Sequence, residues 1–435
     1  MIHTRAPRTE STSLLGSVRI YPAWFRPKGF IYIFSGDNGW GAAEEESARD
    51  FARASNRVVG IDTTKFLEWS EQAAKGCVYL PGQLEDYSRA QQRAGNTSQY
   101  LAPALLGHQL GATLVYVAQL QSPPLAFSAA VAIDPEPRIG VQRPFCEHAP
   151  AAHDAAGQDL AVEAPGRNVP LRLLLDALAS KAQQSFVASI RAAGAGADTS
   201  PSAAADAATL HAQYVAALAS IDAENRGNGI GDLPVVALPA PMARASAFAI
   251  IYSGDGGWRD LDRSLADLLT QRGMSVVGMD VLRYYWKEKS PAVAARDLAR
   301  LIRYYQGRFG QSKVVLIGFS FGADVMPFLV SRLPAGLRGD VSLISLLSPE
   351  RRTAFEVEPT GWFGKPSTDG AEIAPELRKL TGVKVQCIYG TDEAKDSLCT
   401  TAAAAQMAVI AKPGGHHFDQ DYAALADQIL AAVQP

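Results

Sequence analysis

The sequence predicts an α/β fold with two tandem, doubly wound domains, of which the first is degenerate. Short apolar strands alternate with helical patterns of 3.6-residue periodicity, and this alternation occurs twice along the chain. Alternation of this kind is typical of a parallel sheet wrapped by right-handed crossover helices. A length of 435 residues is sufficient for two domains with complete hydrophobic cores.

An internal repeat defines the two domains. Residues 30–40, FIYIFSGDNGW, match residues 248–258, FAIIYSGDGGW, and the same offset brings residues 58–62, VVGID, onto residues 276–280, VVGMD. Such matches in the same order indicate a tandem duplication. We therefore predict a degenerate domain at 1–225, a linker rich in Gly, Asn and Pro at 226–241, and a catalytic domain at 242–435.

The elements of the second repeat follow in order from its apolar runs and helical periodicity. The early part gives strand Ala247–Tyr252, helix Asp260–Gln271, strand Ser275–Asp280, helix Val293–Arg308 and strand Lys313–Gly318. The later part gives strands Val341–Leu347, Val383–Tyr389 and Ala408–Lys412. The irregular stretch Arg351–Pro375 is expected to be a lid or a substrate-binding insertion.

Residues 318–322, GFSFG, form a G-x-S-x-G motif between a buried strand and a helix. Glycines on both sides allow the sharp turn that exposes a nucleophilic serine in α/β-hydrolases, and Ser320 is the predicted nucleophile. A glycine-rich turn with a helix-capping serine is the alternative. A base and an acid at suitable places later in the chain distinguish the two.

The acid and the base are expected after the last two strands. The sequence Gly390-Thr-Asp-Glu supplies Glu393 as the predicted acid, with Asp392 as its alternative. The loop after residue 412 supplies His416, in a G-H-x-F arrangement, as the predicted base, with His417 as its alternative. The order serine, acid, histidine is that of the α/β-hydrolases.

Two backbone N–H groups are predicted to stabilise the oxyanion. One belongs to Phe321, which directly follows the nucleophile, and the other to Asp255, in the loop Ser253–Trp258. Because the first repeat keeps nearly the same loop, maintenance of the fold is part of its role.

The first repeat lacks the catalytic side chains. Gln109 occupies the position of Ser320, and the position of His416 falls at about Ala208. An amide cannot be deprotonated to a nucleophile, so we expect a catalytically inactive domain that serves as a scaffold or docking surface.

Composition excludes several classes of partner. The chain has 47% hydrophobic residues and a net charge of −3, with no basic run typical of nucleic-acid binding. It has no apolar run of about 18 residues, and its first 24 residues lack the apolar core of an ordinary signal peptide. The cysteines have no metal-ligand spacing, and neither a metal nor another cofactor is expected. They lie two in each half, which permits one bridge per half in an oxidising compartment: Cys77, Cys146, Cys387 and Cys399.

The combined motifs resemble the VirJ/AcvB family of bacterial virulence proteins over nearly the whole chain. They are the paired S-G-D-G/N-G-W loops, the G-F-S-F-G-A-D elbow, C-I-Y-G-T-D-E and the closing G-G-H-H-F. The resemblance implies a periplasmic, membrane-peripheral serine hydrolase that cleaves the aminoacyl ester of aminoacylated phosphatidylglycerol. The N-terminal residues depart from a periplasmic family, because no signal peptide is visible. Cys387 and Cys399 bracket the acid and fit a disulfide, whereas free thiols are the expectation in a cytoplasm.

A substrate with a free ammonium group needs a carboxylate in its pocket. Asp324, one helical turn after the nucleophile, and Asp280, at a strand end, are the candidates, although both positions also suit ordinary helix or strand-end residues. Three functional classes are compatible with the sequence: the lipid esterase, a non-catalytic adaptor of a virulence or secretion system that binds protein partners through the first domain, and a general carboxylesterase or thioesterase.

Overall fold

The computed structural model describes most of the chain and divides it into two compact units, Met1–Gly227 and Asn228–Pro435. The described residues are 6–73, 76–146, 152–154, 157–160, 162, 171–176, 179–193, 201–202, 207–226, 230–357 and 370–433.

The first unit is an α/β layer structure. Its strands are β1 (Arg8–Thr12), β2 (Gly16–Tyr21), β3 (Gly29–Phe34), β4 (Asn56–Ile61), β5 (Ala104–His108), β6 (Ala129–Ile133), β7 (Arg138–Ile139), β8 (Ala152–Asp154), β9 (Gly157–Asp159), β10 (Leu171–Asp176) and β11 (Pro201–Ser202). Its helices are α1 (Ala42–Arg53), α2 (Thr63–Ala73), α3 (Leu80–Ala94), α4 (Leu110–Gln121), α5 (Lys181–Ala192) and α6 (Ala207–Arg226). The main sheet has the order β1-β2-β4-β3-β5-β6-β10-β11, and β7, β9 and β8 form a small separate sheet.

The second unit repeats this arrangement, with seven strands in its main sheet and two in a small separate sheet. Its strands are β12 (Val235–Leu238), β13 (Ala247–Tyr252), β14 (Val276–Met279), β15 (Lys313–Phe319), β16 (Val341–Leu347), β17 (Arg352–Thr353), β18 (Ala371–Glu372), β19 (Val385–Gly390) and β20 (Ala408–Lys412). Its helices are α7 (Asp260–Gln271), α8 (Val281–Tyr284), α9 (Pro291–Phe309), α10 (Phe321–Val330), α11 (Ala335–Gly339), α12 (Ala374–Leu377) and α13 (Tyr422–Val433). The main sheet has the order β12-β14-β13-β15-β16-β19-β20. The strand that carries the elbow, β15, therefore lies in its centre.

The central strands of both sheets are parallel and buried. All six residues of β13 are buried, as are six of the seven residues of β15. Apolar runs without polar alternation form such strands because helices cover both faces of the sheet. The prediction of two tandem doubly wound α/β domains, the first with a degenerate elbow, is confirmed.

The edges of the sheets differ from the fully parallel arrangement that the sequence predicts. Strand β12 pairs antiparallel with β14, and β2 pairs antiparallel with both β1 and β4. Strand β12 also lies within the segment 226–241 that we interpreted as a linker. An edge strand needs only one neighbour, so a four-residue apolar run can pair even between flanks rich in Gly and Pro.

Element bounds agree with the sequence within a few residues. Strands β13, β16 and β20 and helix α7 have the predicted bounds. Of the predicted insertion Arg351–Pro375, residues 358–369 lie outside the described part, and β17 and β18 pair antiparallel on either side of them. None of the helices in the described ranges has the length and apolar character needed to cross a membrane.

The repeated S-G-D-x-G-W and V-V-G motifs contact each other within each unit. A Cβ at Gly278 would lie 2.3 Å from the ring of Trp258, and a Cβ at Gly60 would lie 2.2 Å from the ring of Trp40. Only glycine allows the indole to pack this closely on the neighbouring strand. The motif thus fixes the loop after the first main strand in both units.

Candidate active site

Ser320 lies on a strained turn between β15 and α10. Its φ of 52° and ψ of −122° place an L-residue in a region that non-glycine residues rarely adopt. A Cβ at Gly318 would lie 2.4 Å from the carbonyl oxygen of Gly322, and one at Gly322 would lie 2.2 Å from that of Tyr252. Both glycines are therefore required for the turn, as the motif predicts.

Glu393 and His416 meet at the carboxyl edge of the sheet. The Nδ1 atom of His416 lies 2.9 Å from Oε2 and 3.1 Å from Oε1 of Glu393. An Nδ1–H that donates to this carboxylate leaves Nε2 as the acceptor, which is the tautomer that a general base needs. Both side chains are about one-third exposed, at 36% and 37%.

The two alternative residues have other surroundings. The Nδ1 atom of His417 lies 3.3 Å from the hydroxyl of Tyr422, and burial followed by the nearby His416 lowers the pKa of His417. Asp392 is exposed, and its backbone N–H donates to the carbonyl of Gly414. Of the four predicted combinations of acid and base, the structure brings together Glu393 and His416.

The histidine loop is held close to the nucleophile strand. The ring of Phe319, directly before Ser320, lies 5.1 Å from the ring of His416 between centroids. The hydroxyl of Ser348 donates to the carbonyl of His416 at 3.4 Å. A Cβ at Gly390 would lie 2.2 Å from the carbonyl of Gly415, so the acid-bearing turn packs directly on this loop.

A disulfide closes the segment that carries Glu393. Cys387 in β19 is bonded to Cys399, 12 positions later, and both residues are buried. A second disulfide joins Cys77 and Cys146 in the first unit. The Cys387–Cys399 bridge restricts the turn that carries Glu393.

The loop Ser253–Trp258 approaches the nucleophile. A Cβ at Gly254 would lie 3.6 Å from Cβ of Ser320, and the N–H of Gly257 donates to the carbonyl of Gly254. The predicted oxyanion donors, the N–H groups of Asp255 and Phe321, thus belong to a loop and a helix start beside Ser320. Within the described ranges, neither N–H group donates a hydrogen bond.

Asp280 and Asp324 are both buried but differ in their partners. Asp280 accepts the N–H of Arg283 as the cap of α8 and also forms an ion pair of 3.1 Å with its guanidinium. Asp324 accepts the N–H of Glu350 at 2.7 Å. Burial first, and then the charge of Glu350, raises the pKa of Asp324 well above its ordinary value. Asp280 therefore stabilises the start of α8, whereas Asp324 lies in the first turn of α10, directly after the elbow.

Sequence reasoning missed two residues that support the site. Asp262 is buried under the loop, and burial raises its pKa well above its ordinary value, opposed by the N–H groups of Gly254 and Arg259. Its counterpart in the repeat is Glu44, which accepts the N–H groups of Gly36 and Gly41. An acidic residue four positions after each S-G-D-x-G-W motif was the available signal. The other is Ser348, for which the sequence carries no signal.

The elbow of the first unit has the same backbone without a nucleophile. Gln109 has φ 50° and ψ −124°. Its side-chain oxygen accepts the N–H of Asp37 at 3.3 Å, and the carboxylate of Asp37 accepts the N–H of Leu110 at 3.0 Å. These two N–H groups correspond to those of Asp255 and Phe321, so side chains of the unit itself already occupy the corresponding oxyanion position.

One family of known proteins matches the second unit of the chain. Residues 246–435 match the family described as Bacterial virulence protein (VirJ). No curated protein is significantly similar to the chain.

Solved structures are similar at low identity over less than half of the chain. Est1E from Butyrivibrio proteoclasticus is 14% identical, with 46% of this chain and 95% of that chain covered and a TM-score of 0.35. A putative dienelactone hydrolase from Klebsiella pneumoniae is 13% identical, with 46% and 98% covered and a TM-score of 0.33. Proline iminopeptidase from Mycobacterium smegmatis is 12% identical, with 46% and 94% covered and a TM-score of 0.32.

Proposed function

Because residues 246–435 match the family described as Bacterial virulence protein (VirJ), we propose that the second unit is a serine esterase. Its substrate is the aminoacyl ester of aminoacylated phosphatidylglycerol, such as lysyl-phosphatidylglycerol. The observation that supports the chemistry most directly is the Glu393–His416 pair beside the strained elbow of Ser320. The reaction would link the protein to membrane lipid homeostasis and virulence.

The reaction follows from these groups in two steps. Nε2 of His416 takes the proton of Ser320 as Oγ attacks the aminoacyl carbonyl, and the N–H groups of Asp255 and Phe321 stabilise the oxyanion. The imidazolium, stabilised by Glu393, gives its proton to the glycerol oxygen as the bond from the acyl carbon to that oxygen breaks, which leaves an aminoacyl-serine. Water then attacks the aminoacyl-serine by the same route, which releases the free amino acid and restores Ser320.

Acidic groups around the elbow support a cationic substrate. Burial first, and then the charges of Glu350 and Asp255, raise the pKa of Asp324, so three carboxyl groups lie in one neighbourhood. An ammonium group beside Asp324 would stabilise its ionised form. We assign Asp324 rather than Asp280 to the ammonium, because Arg283 already neutralises Asp280.

The two disulfides support the periplasm as the location. Disulfides persist in oxidising compartments such as the bacterial periplasm. The substrate would then be reached at the membrane surface, and no nucleic-acid partner is proposed.

A non-catalytic adaptor is the second candidate, and the first unit favours it. The first unit has the same kind of fold as the second, but the side chains of Gln109 and Asp37 already accept the two N–H groups that correspond to the oxyanion donors. In this case both units would bind protein partners of a virulence or secretion system.

Substitution of the nucleophile tests the proposal. In Ser320→Ala we expect release of lysine from lysyl-phosphatidylglycerol vesicles to fall by roughly 10³-fold or more, because the covalent step is lost. A fluorophosphonate probe should label Ser320 of the wild-type chain, as located by mass spectrometry.

The matched control is Gln109→Ala, at the same place in the other elbow, which should keep wild-type turnover. Full turnover by Ser320→Ala, or no label at Ser320, would contradict the esterase and leave the adaptor. Turnover of water-soluble esters but not of the vesicles would instead indicate a general carboxylesterase or thioesterase.

A further inference from the structure

Two neighbouring aromatic side chains of the first unit project into solvent. Trp24 is 59% exposed and Phe25 is 72% exposed. They are the only sequence neighbours among the large hydrophobic residues exposed in the described part of the chain. Adjacent aromatic side chains exposed to water favour aggregation unless a partner or a membrane covers them.

The segment that carries them is held firmly against the unit. The N–H of Trp24 donates to the carbonyl of Ala52 at 3.1 Å, and that of Lys28 donates to the carbonyl of Ser55 at 2.9 Å. Pro22 and Pro27 restrict the backbone between these bonds. The aromatic tip is therefore presented by a fixed loop, and its exposure does not come from an unanchored terminus.

The flanks of the tip are cationic. Arg26 and Lys28 are both exposed, and residues 22–28 contain no acidic side chain. In the described part of the chain, neither cation forms an ion pair. Aromatic rings at the level of lipid headgroups, with Arg and Lys reaching phosphates, are the usual composition of a membrane-interface anchor.

We propose that residues 22–28 dock the first unit on an anionic lipid surface. Phe25 and Trp24 enter the headgroup region, and Arg26 and Lys28 contact lipid phosphates. A protein partner fits less well, because two aromatic side chains offer about 300 to 500 Å², whereas a stable interface takes about 800 Å² from each partner. Docking does not depend on the esterase chemistry of the second unit.

Vesicle flotation of the full chain tests the proposal. The Ser320→Ala background prevents any turnover, so that binding is measured whether or not the esterase proposal holds. Vesicles of phosphatidylcholine alone are compared with vesicles that also contain phosphatidylglycerol. We expect binding to the anionic vesicles, weakened by salt, together with a blue shift of tryptophan fluorescence that is lost when Trp24 is replaced.

Substitutions separate the contribution of the aromatic rings to lipid binding from that of the cationic side chains. Trp24→Ala with Phe25→Ala should weaken binding roughly tenfold or more, because the buried ring area is lost. Arg26→Gln with Lys28→Gln should weaken binding to anionic vesicles roughly thirtyfold, at about 1 kcal/mol for each charge near the surface.

The controls remove matched groups elsewhere. Met242→Ala deletes another side chain that is 65% exposed, and Arg303→Gln with Arg378→Gln deletes two exposed charges of the second unit. Both should bind as the parent does. Equal binding by Trp24→Ala with Phe25→Ala would overturn the proposal. Absence of binding to both kinds of vesicle would also overturn it, and would leave the aromatic pair to a protein partner.

Discussion

At the scale of the residue, a hydrogen bond distinguishes the predicted acid from the adjacent carboxylate that the sequence leaves as its alternative. Asp392 and Glu393 are adjacent carboxylates on one turn, yet only the longer side chain reaches Nδ1 of His416. Which of two adjacent carboxylates faces a loop from another strand depends on the turn conformation, here a 3₁₀ turn over Thr391–Glu393. The sequence predicts Glu393 with Asp392 as its alternative, and the conformation of this turn decides between them.

The acid therefore has a direct test. Glu393→Gln should lower kcat by roughly 10²- to 10⁴-fold, because an amide no longer fixes the His416 tautomer or stabilises the imidazolium. Asp392→Asn is the matched control and should stay within about twofold of wild type, since this carboxylate makes no contact with the histidine. Steady-state hydrolysis measures both; a larger loss in Asp392→Asn would exchange the two roles.

A second residue-scale effect concerns stability in the first unit. Asp134, at the end of β6, is buried and accepts the N–H of Asp176. Burial first, and then the charge of Asp176, raises the pKa of Asp134 to about 6. Since the folded state binds this proton more tightly than the unfolded chain, the group lowers the free energy of unfolding as pH rises from about 4 to 6.

Asp134→Asn should remove this penalty and keep an acceptor for the N–H of Asp176. We expect the variant to gain on the order of 1 to 2 kcal/mol over wild type at pH 7, and almost nothing near pH 4. Denaturant unfolding at both pH values measures the difference. Asp86→Asn, which removes an exposed carboxylate of the same unit, is the control; an equal gain at both pH values would contradict the assignment.

At the scale of the element, the two elbows show that backbone geometry and chemistry are separable. Gln109 and Ser320 have φ values of 50° and 52°. In each elbow, a Cβ added at either glycine would lie within 2.4 Å of a carbonyl oxygen. The strand and the start of the helix pack closely in each elbow, and this packing keeps the turn whether its central residue is glutamine or serine. The two elbows differ in their N–H donors, because in the first elbow the side chains of Gln109 and Asp37 accept the N–H groups of Asp37 and Leu110.

The first elbow should therefore stay inactive even with a serine. Gln109→Ser in the Ser320→Ala background should restore no hydrolysis, because Asp37 still accepts the N–H of Leu110 and the position of the base His416 falls at about Ala208. Turnover and fluorophosphonate labelling measure this, with the Ser320→Ala chain as the reference. Labelling at position 109 would mean that a second catalytic site can be assembled there.

At the scale of the whole molecule, each unit has its own core and its own disulfide. One bridge closes a separation of 69 residues and the other closes 12. The chain-entropy model predicts contributions of about 4 and about 3 kcal/mol to the free energy of unfolding. Two units of this kind need not unfold in one transition.

Removal of each bridge should affect its own unit. Cys77→Ser with Cys146→Ser should lower the unfolding temperature of one calorimetric transition and leave hydrolysis unchanged. Cys387→Ser with Cys399→Ser should lower that of the other and reduce hydrolysis roughly tenfold, because the turn that carries Glu393 is no longer closed. Equal activity of the two variants would show that the bridge does not position the acid.

The sequence by itself determined the double α/β architecture, most element bounds and the elbow with Ser320. Those features are local: a buried strand, a glycine-flanked turn and a helix are specified by neighbouring residues. Only the tertiary structure decided that Glu393 rather than Asp392 faces His416, that Asp280 is neutralised by Arg283, and that Asp37 fills the first elbow. Each of these depends on side chains from separate loops meeting at one sheet edge, and the direction in which a side chain points across that edge is set by packing rather than by its position in the chain.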